Sequence, residues 1–125
     1  MKRINVVPLE SVDGVRFGTK RSEVRKQWGS FDEFKKSAFS ENTTDDFGFC
    51  HVYYDANDNM EAVEIFDADV YIGDIKVFPV SETEVKGIID DLDNELISVS
   101  KSIGVYAPYG KAECILFGCK GYYDC

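Results

Sequence analysis

Residues 45 to 59, DDFGFCHVYYDANDN, gather two adjacent acids, the only histidine of the chain, a cysteine and two tyrosines. A thiol beside an imidazole is the material of nucleophilic catalysis, provided the base lies within hydrogen-bond reach of the sulfur. The pattern around Cys50 and His51 is that of a strand, in which successive side chains point to opposite faces. The two groups therefore cannot form a dyad with each other. No spacing brings Cys119 or Cys125 toward His51, and the chain has no G-x-S-x-G, H-E-x-x-H or Walker pattern. No catalytic residue is assigned, and the chain is not expected to be an enzyme.

The same stretch fails the other chemical tests. Asp55-Ala56-Asn57-Asp58-Asn59 opens like a calcium loop, but the required glycine is Met60 and the required glutamate is Phe66. Phe47 to Tyr54 resembles the aromatic strand of an RNA-recognition motif, yet Asp45 and Asp46 stand where a basic residue is needed. The four cysteines, Cys50, Cys114, Cys119 and Cys125, include no C-x2-C pair, so no zinc site and no metal is expected. Cys50 and Cys114 read as small core residues. No cofactor is implied. Asp45/Asp46, Asp67/Asp69 and Asp90/Asp91 are paired acids without a cleft that sequence can show.

The elements that must position these residues follow from periodicity. Thr19 reads as the N-cap of a helix carrying Val24 and Trp28 on one face and ending at Gly29. Phe31 and Phe34 are expected to pack against the domain, and Ser40 to Asp46 to form a loop. Runs 49–55 and 60–66 make a hairpin with Asn57-Asp58 at its tip. That register pairs Cys50 with Ile65, His51 with Glu64 and Val52 with Val63. One face then holds Cys50, Val52, Tyr54, Val63 and Ile65, and the other Phe49, His51, Tyr53, Ala62, Glu64 and Phe66. A second hairpin turns at Gly73-Asp74. Ser81 and Glu84 form a capping box, and a helix follows with its stripe at Val85, Ile88, Ile89, Leu92 and Leu96. A third hairpin turns at Ala107-Pro108-Tyr109-Gly110. The helices, each with a hairpin after it, suggest an internal αββ duplication, with S-E-V and T-E-V at matching places. The expected fold is one α+β domain over 1–125: an antiparallel β-sheet of hairpins, about four to six strands, with two helices on one face.

At 125 residues the chain can bury a core without staples. No apolar run approaches the ~20 residues of a membrane span. The N-terminal segment has a basic pair but no apolar stretch of a signal peptide, so a cytoplasmic location is expected. Residues 1–36 hold nine Lys/Arg against five Asp/Glu, the remainder five against eighteen, and the net charge is −9. An acidic body repels nucleic acid and anionic membrane and attracts basic protein surfaces.

The segments VRFGTKRSEVRKQWGSF, NTTDDFGFCHVYYD, MEAVEIF and SIGVYAP with KAECILFGCKGYY resemble small bacterial immunity proteins of contact-dependent and other polymorphic toxin systems. The G-T-K-R-S-E-V element is also similar to the start of the β-lactamase-inhibitor-like fold, a tandem αββ inhibitor scaffold. The resemblance implies a small, cytoplasmic, non-enzymatic protein that neutralises a cognate toxin domain by occluding its site, often a basic nuclease. It supplies no fixed functional residues. The residue reading places the partner contacts at His51, Tyr53, Glu64, Asp67 and Asp69, with Asp45 and Asp46 at the edge: aromatic anchors inside an acidic rim. The alternative is a small-molecule-binding or regulatory domain whose sheet face lines a pocket.

Overall fold

The computed structural model describes residues 2–35, 37–38 and 42–124. In chain order it holds β1 (Arg3–Val7), β2 (Ser11–Val12), β3 (Val15–Arg16), α1 (Arg21–Trp28), β4 (Asp32–Phe34), β5 (Thr44–Asp46), β6 (Cys50–Tyr54) and β7 (Met60–Ile65). These are followed by β8 (Asp69–Ile72), β9 (Ile75–Phe78), α2 (Glu82–Ile88), β10 (Ile97–Ser98), β11 (Ile103–Tyr106) and β12 (Cys114–Gly118). The fold is α+β, but the single sheet expected from the sequence is two. One has the order β3-β2-β1-β8-β9, the other β10-β11-β12-β7-β6-β5-β4. Their strands pair antiparallel except β1 with β8. A parallel neighbour cannot come from a tight hairpin, so local turn signals do not reveal this pairing.

Alternation along β1 sends Ile4 and Val6 inward and Arg3, Asn5 and Val7 outward. Ile4, Val6 and Val70 meet Cys50, Val52, Val63, Ile65, Ile115 and Phe117 of the other sheet in one buried cluster. The hydrophobic faces of both sheets are thereby satisfied against each other.

Leaving aside β1 and β4, strand order and direction correspond in two halves: the β2–β3 hairpin matches β8–β9 on the other side of β1, and β5-β6-β7 matches β10-β11-β12. The repeating unit is ββαβββ, larger than the αββ suggested by the helices alone. Val24 and Val85, at matching places in the two helices, are both fully buried. α2 contacts β9, and α1 reaches β4 and β5 through Arg21 and Arg25.

Lys20, not Thr19, is the N-cap of α1, and its side chain makes no capping bond. The Thr19 hydroxyl instead donates to the Arg16 carbonyl. Gly29, at φ 85°, ends the helix in a region that side chains avoid. Trp28 lies edge-on to Phe47 and Phe49 at 5.6 and 5.5 Å. The capping box of α2 is formed: the Ser81 hydroxyl accepts from the Glu84 amide, and the Glu84 carboxylate accepts from the Ser81 amide. The helix stops at Ile88, so the stripe expected to run to Leu96 breaks; Leu92 and Leu96 reach the core from the following turns.

Thr44–Asp46 is a strand rather than part of a loop, and this reverses the reading of Asp45; residues 40 and 41 of that expected loop lie outside the described residues. Asp45 pairs with Val52 across β6 and shares its inward face. Its side chain has 0% exposure. The Arg25 guanidinium donates to both carboxylate oxygens at 2.8 Å, and the Tyr54 hydroxyl donates at 2.9 Å. Arg21 lies 3.7 Å from the same carboxylate and donates to Asn42, Thr43 and Glu33. This bidentate clasp joins α1 to the β4–β5 edge. Asp45 is thus a core ion-pair partner, not an edge contact for another protein.

After α2 the chain is fastened by Asp91. Hydrogen bonds from Ser100, then Ser98 and Lys101, hold its carboxyl down at about 2, below the ordinary 3.8. Because the folded value lies below the unfolded one, this contribution is present above pH 3.8 and is lost as pH falls toward 2. Asp91→Asn is therefore expected to flatten the acid branch of stability across that window. Urea unfolding at successive pH values checks it; an unchanged slope counts against the fastening.

Candidate functional site

Strand pairing across the seven-stranded sheet builds one continuous outward row: Asp32, Asp46, His51, Glu64, Leu116, Gly104 and Ile97, one residue per strand. Beside it run Phe34, Thr44, Tyr53, Ala62 and Gly118. The hairpin register read from sequence, Cys50 with Ile65, His51 with Glu64 and Val52 with Val63, is the observed one. Its tip differs. The loop is three residues, 56–58, with Asp58 at φ 62°, and the Asp55 carboxylate accepts from the Asn57 and Asn59 amides. Turn-binding thus occupies the first acid of the calcium-like run.

His51 sits between two acids, its Nε2 3.6 Å from Asp46 and its Nδ1 3.8 Å from Glu64. Its ring meets Phe34 and Phe66 edge-on at 5.1 and 4.8 Å. The Tyr53 hydroxyl donates to Glu64 at 3.1 Å, and the Cys114 thiol donates to the other Glu64 oxygen at 3.8 Å. Burial raises the Tyr53 phenol pKa, and the Glu64 charge raises it further. Cys114 faces outward and is half-buried, so it is not the core residue expected; Cys50 is fully buried, and burial pushes its thiol well up. Imidazole and Cys114 thiol hang on opposite oxygens of one carboxylate, which leaves no thiol–imidazole hydrogen bond.

The structure thus brings together four of the proposed contact residues: Asp46, His51, Tyr53 and Glu64. Asp67 is exposed just beyond Phe66, where both residues donate backbone bonds to the Phe49 carbonyl. Asp69 belongs to the other sheet, paired with Arg3 and 3.3 Å from Lys76, and is not part of this face. Phe49 precedes β6 at the turn around Gly48, so the strand alternation does not reach it; it is buried against Trp28.

Residues outside the sequence reading complete the site. The C-terminal segment folds back so that Tyr122 and Tyr123, edge-on at 5.2 Å, lie over the sheet. A Cβ on Gly118 would sit 2.6 Å from the Tyr122 ring, and one on Gly104 would collide with the Tyr123 hydroxyl. Burial and the Glu61 charge push the Tyr122 phenol up to about 12. Glycine at 104 and 118 is the signal that something lies on the face. Gly118→Ala is expected to destabilise the protein by about 1–3 kcal/mol through overpacking or to expel the segment. Cleavage by carboxypeptidase, faster in the variant, reads the second outcome; unchanged cleavage and unchanged stability would contradict the contact.

The repeat sharpens the point. An axis through the Glu64/Leu116 pair aligns Cys50-His51-Val52-Tyr53 with Ile103-Gly104-Val105-Tyr106, and Ala62 to Phe66 with Cys114 to Gly118. Inward positions are buried in both halves. Outward positions differ: His51, Glu64 and Phe66 in one half correspond to Gly104, Leu116 and Gly118 in the other. The scaffold is symmetric, and its face is not.

Charge is divided between the sheets. The outward side of the five-stranded sheet carries Arg3, Arg16 and Lys76, with Asp69 ion-paired to Lys76 and Arg3 stacked 3.8 Å above Tyr71. The row on the seven-stranded sheet carries Asp32, Asp46 and Glu64, and among the described residues no Lys or Arg forms an ion pair with any of them. No described helix is long and apolar enough to cross a membrane. Comparison of the chain with family models, with curated proteins and with solved structures finds no match.

Proposed function

We propose that this chain is a cytoplasmic immunity-type binding protein that neutralises a cognate basic toxin domain by covering its active site with the outer face of the seven-stranded sheet. The observation that carries the reading is the row of acids that, among the described residues, have no Lys or Arg ion-pair partner, beside half-exposed aromatic groups. Acids that make no ion pair with a Lys or Arg among the described residues are available to a basic partner, and a net charge of −9 steers that partner inward. Aromatic anchors supply the desolvated contact area. The role needs no catalysis and no cofactor.

Tagged protein exposed to bacterial lysate, washed at low and then high salt, tests it. One basic protein retained at low salt and released at high salt is the expected result; an empty support at low salt counts against it. A depression of about 170 Å³ on the same face supports a second reading, a small-ligand domain. Thermal stabilisation by a small molecule, insensitive to salt, would favour that alternative.

A further inference from the structure

Resting on the reading above, we propose that the depression beside the C-terminal tyrosines is a receptor for one cationic side chain of the partner, an arginine. It is lined by Glu64, Glu95, Tyr106, Tyr123, Leu116 and Ile97. Two carboxylates enter it, and neither is ion-paired with a Lys or Arg among the described residues. Glu64 is fixed by the Tyr53 hydroxyl at 3.1 Å and the Cys114 thiol at 3.8 Å, with His51 Nδ1 3.8 Å from the same carboxylate. Its charge is therefore held at the floor rather than free to swing into water. Tyr123 is seated over Gly104 and forms one wall, while Tyr106, 58% exposed, forms another.

A guanidinium matches this set on three counts. It carries the opposite charge, it donates in a planar fork to carboxylates, and it stacks on aromatic faces. Leu116 and Ile97 accept its methylene stem. The negative field at the floor is felt by the wall: burial first, and the Glu64 charge next, raise the Tyr123 phenol pKa.

The probe is the peptide acetyl-Gly-Arg-Gly-amide, titrated into the isotope-labelled full chain by NMR, with the Gln and Glu peptides of the same length as controls. The arginine peptide alone is expected to shift the amides of Glu64, Gly104, Tyr106 and Leu116. Glu64→Gln, which keeps an acceptor for Tyr53, is expected to weaken it about tenfold, and Glu95→Gln several-fold, with the remaining spectrum intact. Shifts scattered over the surface, equal shifts from the glutamine peptide, or an unchanged Kd in Glu64→Gln would overturn the site. An arginine peptide that binds here while lysate yields no protein partner keeps the site and removes the toxin reading. A captured partner indifferent to Glu64→Gln removes the site and keeps that reading.

Discussion

Asp45→Ala is expected to lose about 3–5 kcal/mol of folding stability. The carboxylate is fully buried and accepts two bonds from Arg25 and one from Tyr54. Removing it leaves the phenol without its acceptor and, among the described residues, the guanidinium with Glu33 alone, which costs far more than the pair contributes over an apolar replacement. Domains of this kind are stable by about 5–15 kcal/mol, so the loss is a large share of the total. Urea unfolding measures it, and the cycle with Arg25→Ala tests the cause: the double variant should be well short of additive. A loss under about 1 kcal/mol would mean that the clasp does not hold α1 to the β4–β5 edge.

Glu64→Lys is expected to weaken the captured partner by at least about a hundredfold, roughly 2.8 kcal/mol, because it puts a like charge against a basic surface. Glu64 lies mid-row, flanked by His51 and Leu116. Its partly exposed position lets a lysine side chain reach water, so the stability cost is the acceptor lost to Tyr53 and Cys114, about 1–3 kcal/mol and no more. Arg16→Glu on the five-stranded sheet is the control and should leave affinity nearly unchanged. Equal losses from both substitutions would indicate general charge attraction rather than a binding face. A large loss of stability in Glu64→Lys would mark the face as second core.

Local signals carried much of this architecture. Alternation from Cys50 to Tyr54 and from Val63 to Ile65 fixes the hairpin register, because a one-residue slip would turn Cys50, Val52, Val63 and Ile65 outward. Ser81 and Glu84 mark the start of α2 through chemistry that needs no tertiary context. The division into two sheets was not legible, since β1 takes one neighbour from sixty-odd residues away and pairs with it in parallel. Asp45 misled for a related reason. A Thr/Asp-rich stretch has the composition of a loop, and only the two arginines of α1 make an inward carboxylate there tolerable. The site was half legible. His51, Tyr53 and Glu64 follow from strand parity, whereas the tyrosine segment over Gly104 and Gly118 is a contact that no period in the sequence announces. Among the basic residues near the N-terminus, Arg21 and Arg25 are taken up inside the clasp, which leaves Arg3 and Arg16 to give the opposite sheet its sign.

The most direct test of the central claim is hydroxyl-radical footprinting of the chain alone and in its captured complex, read residue by residue by mass spectrometry. His51, Phe66 and Tyr106 are expected to lose reactivity in the complex while Tyr71, on the five-stranded sheet, keeps it. Protection of Tyr71 with His51, Phe66 and Tyr106 unchanged would contradict the assignment of the binding face.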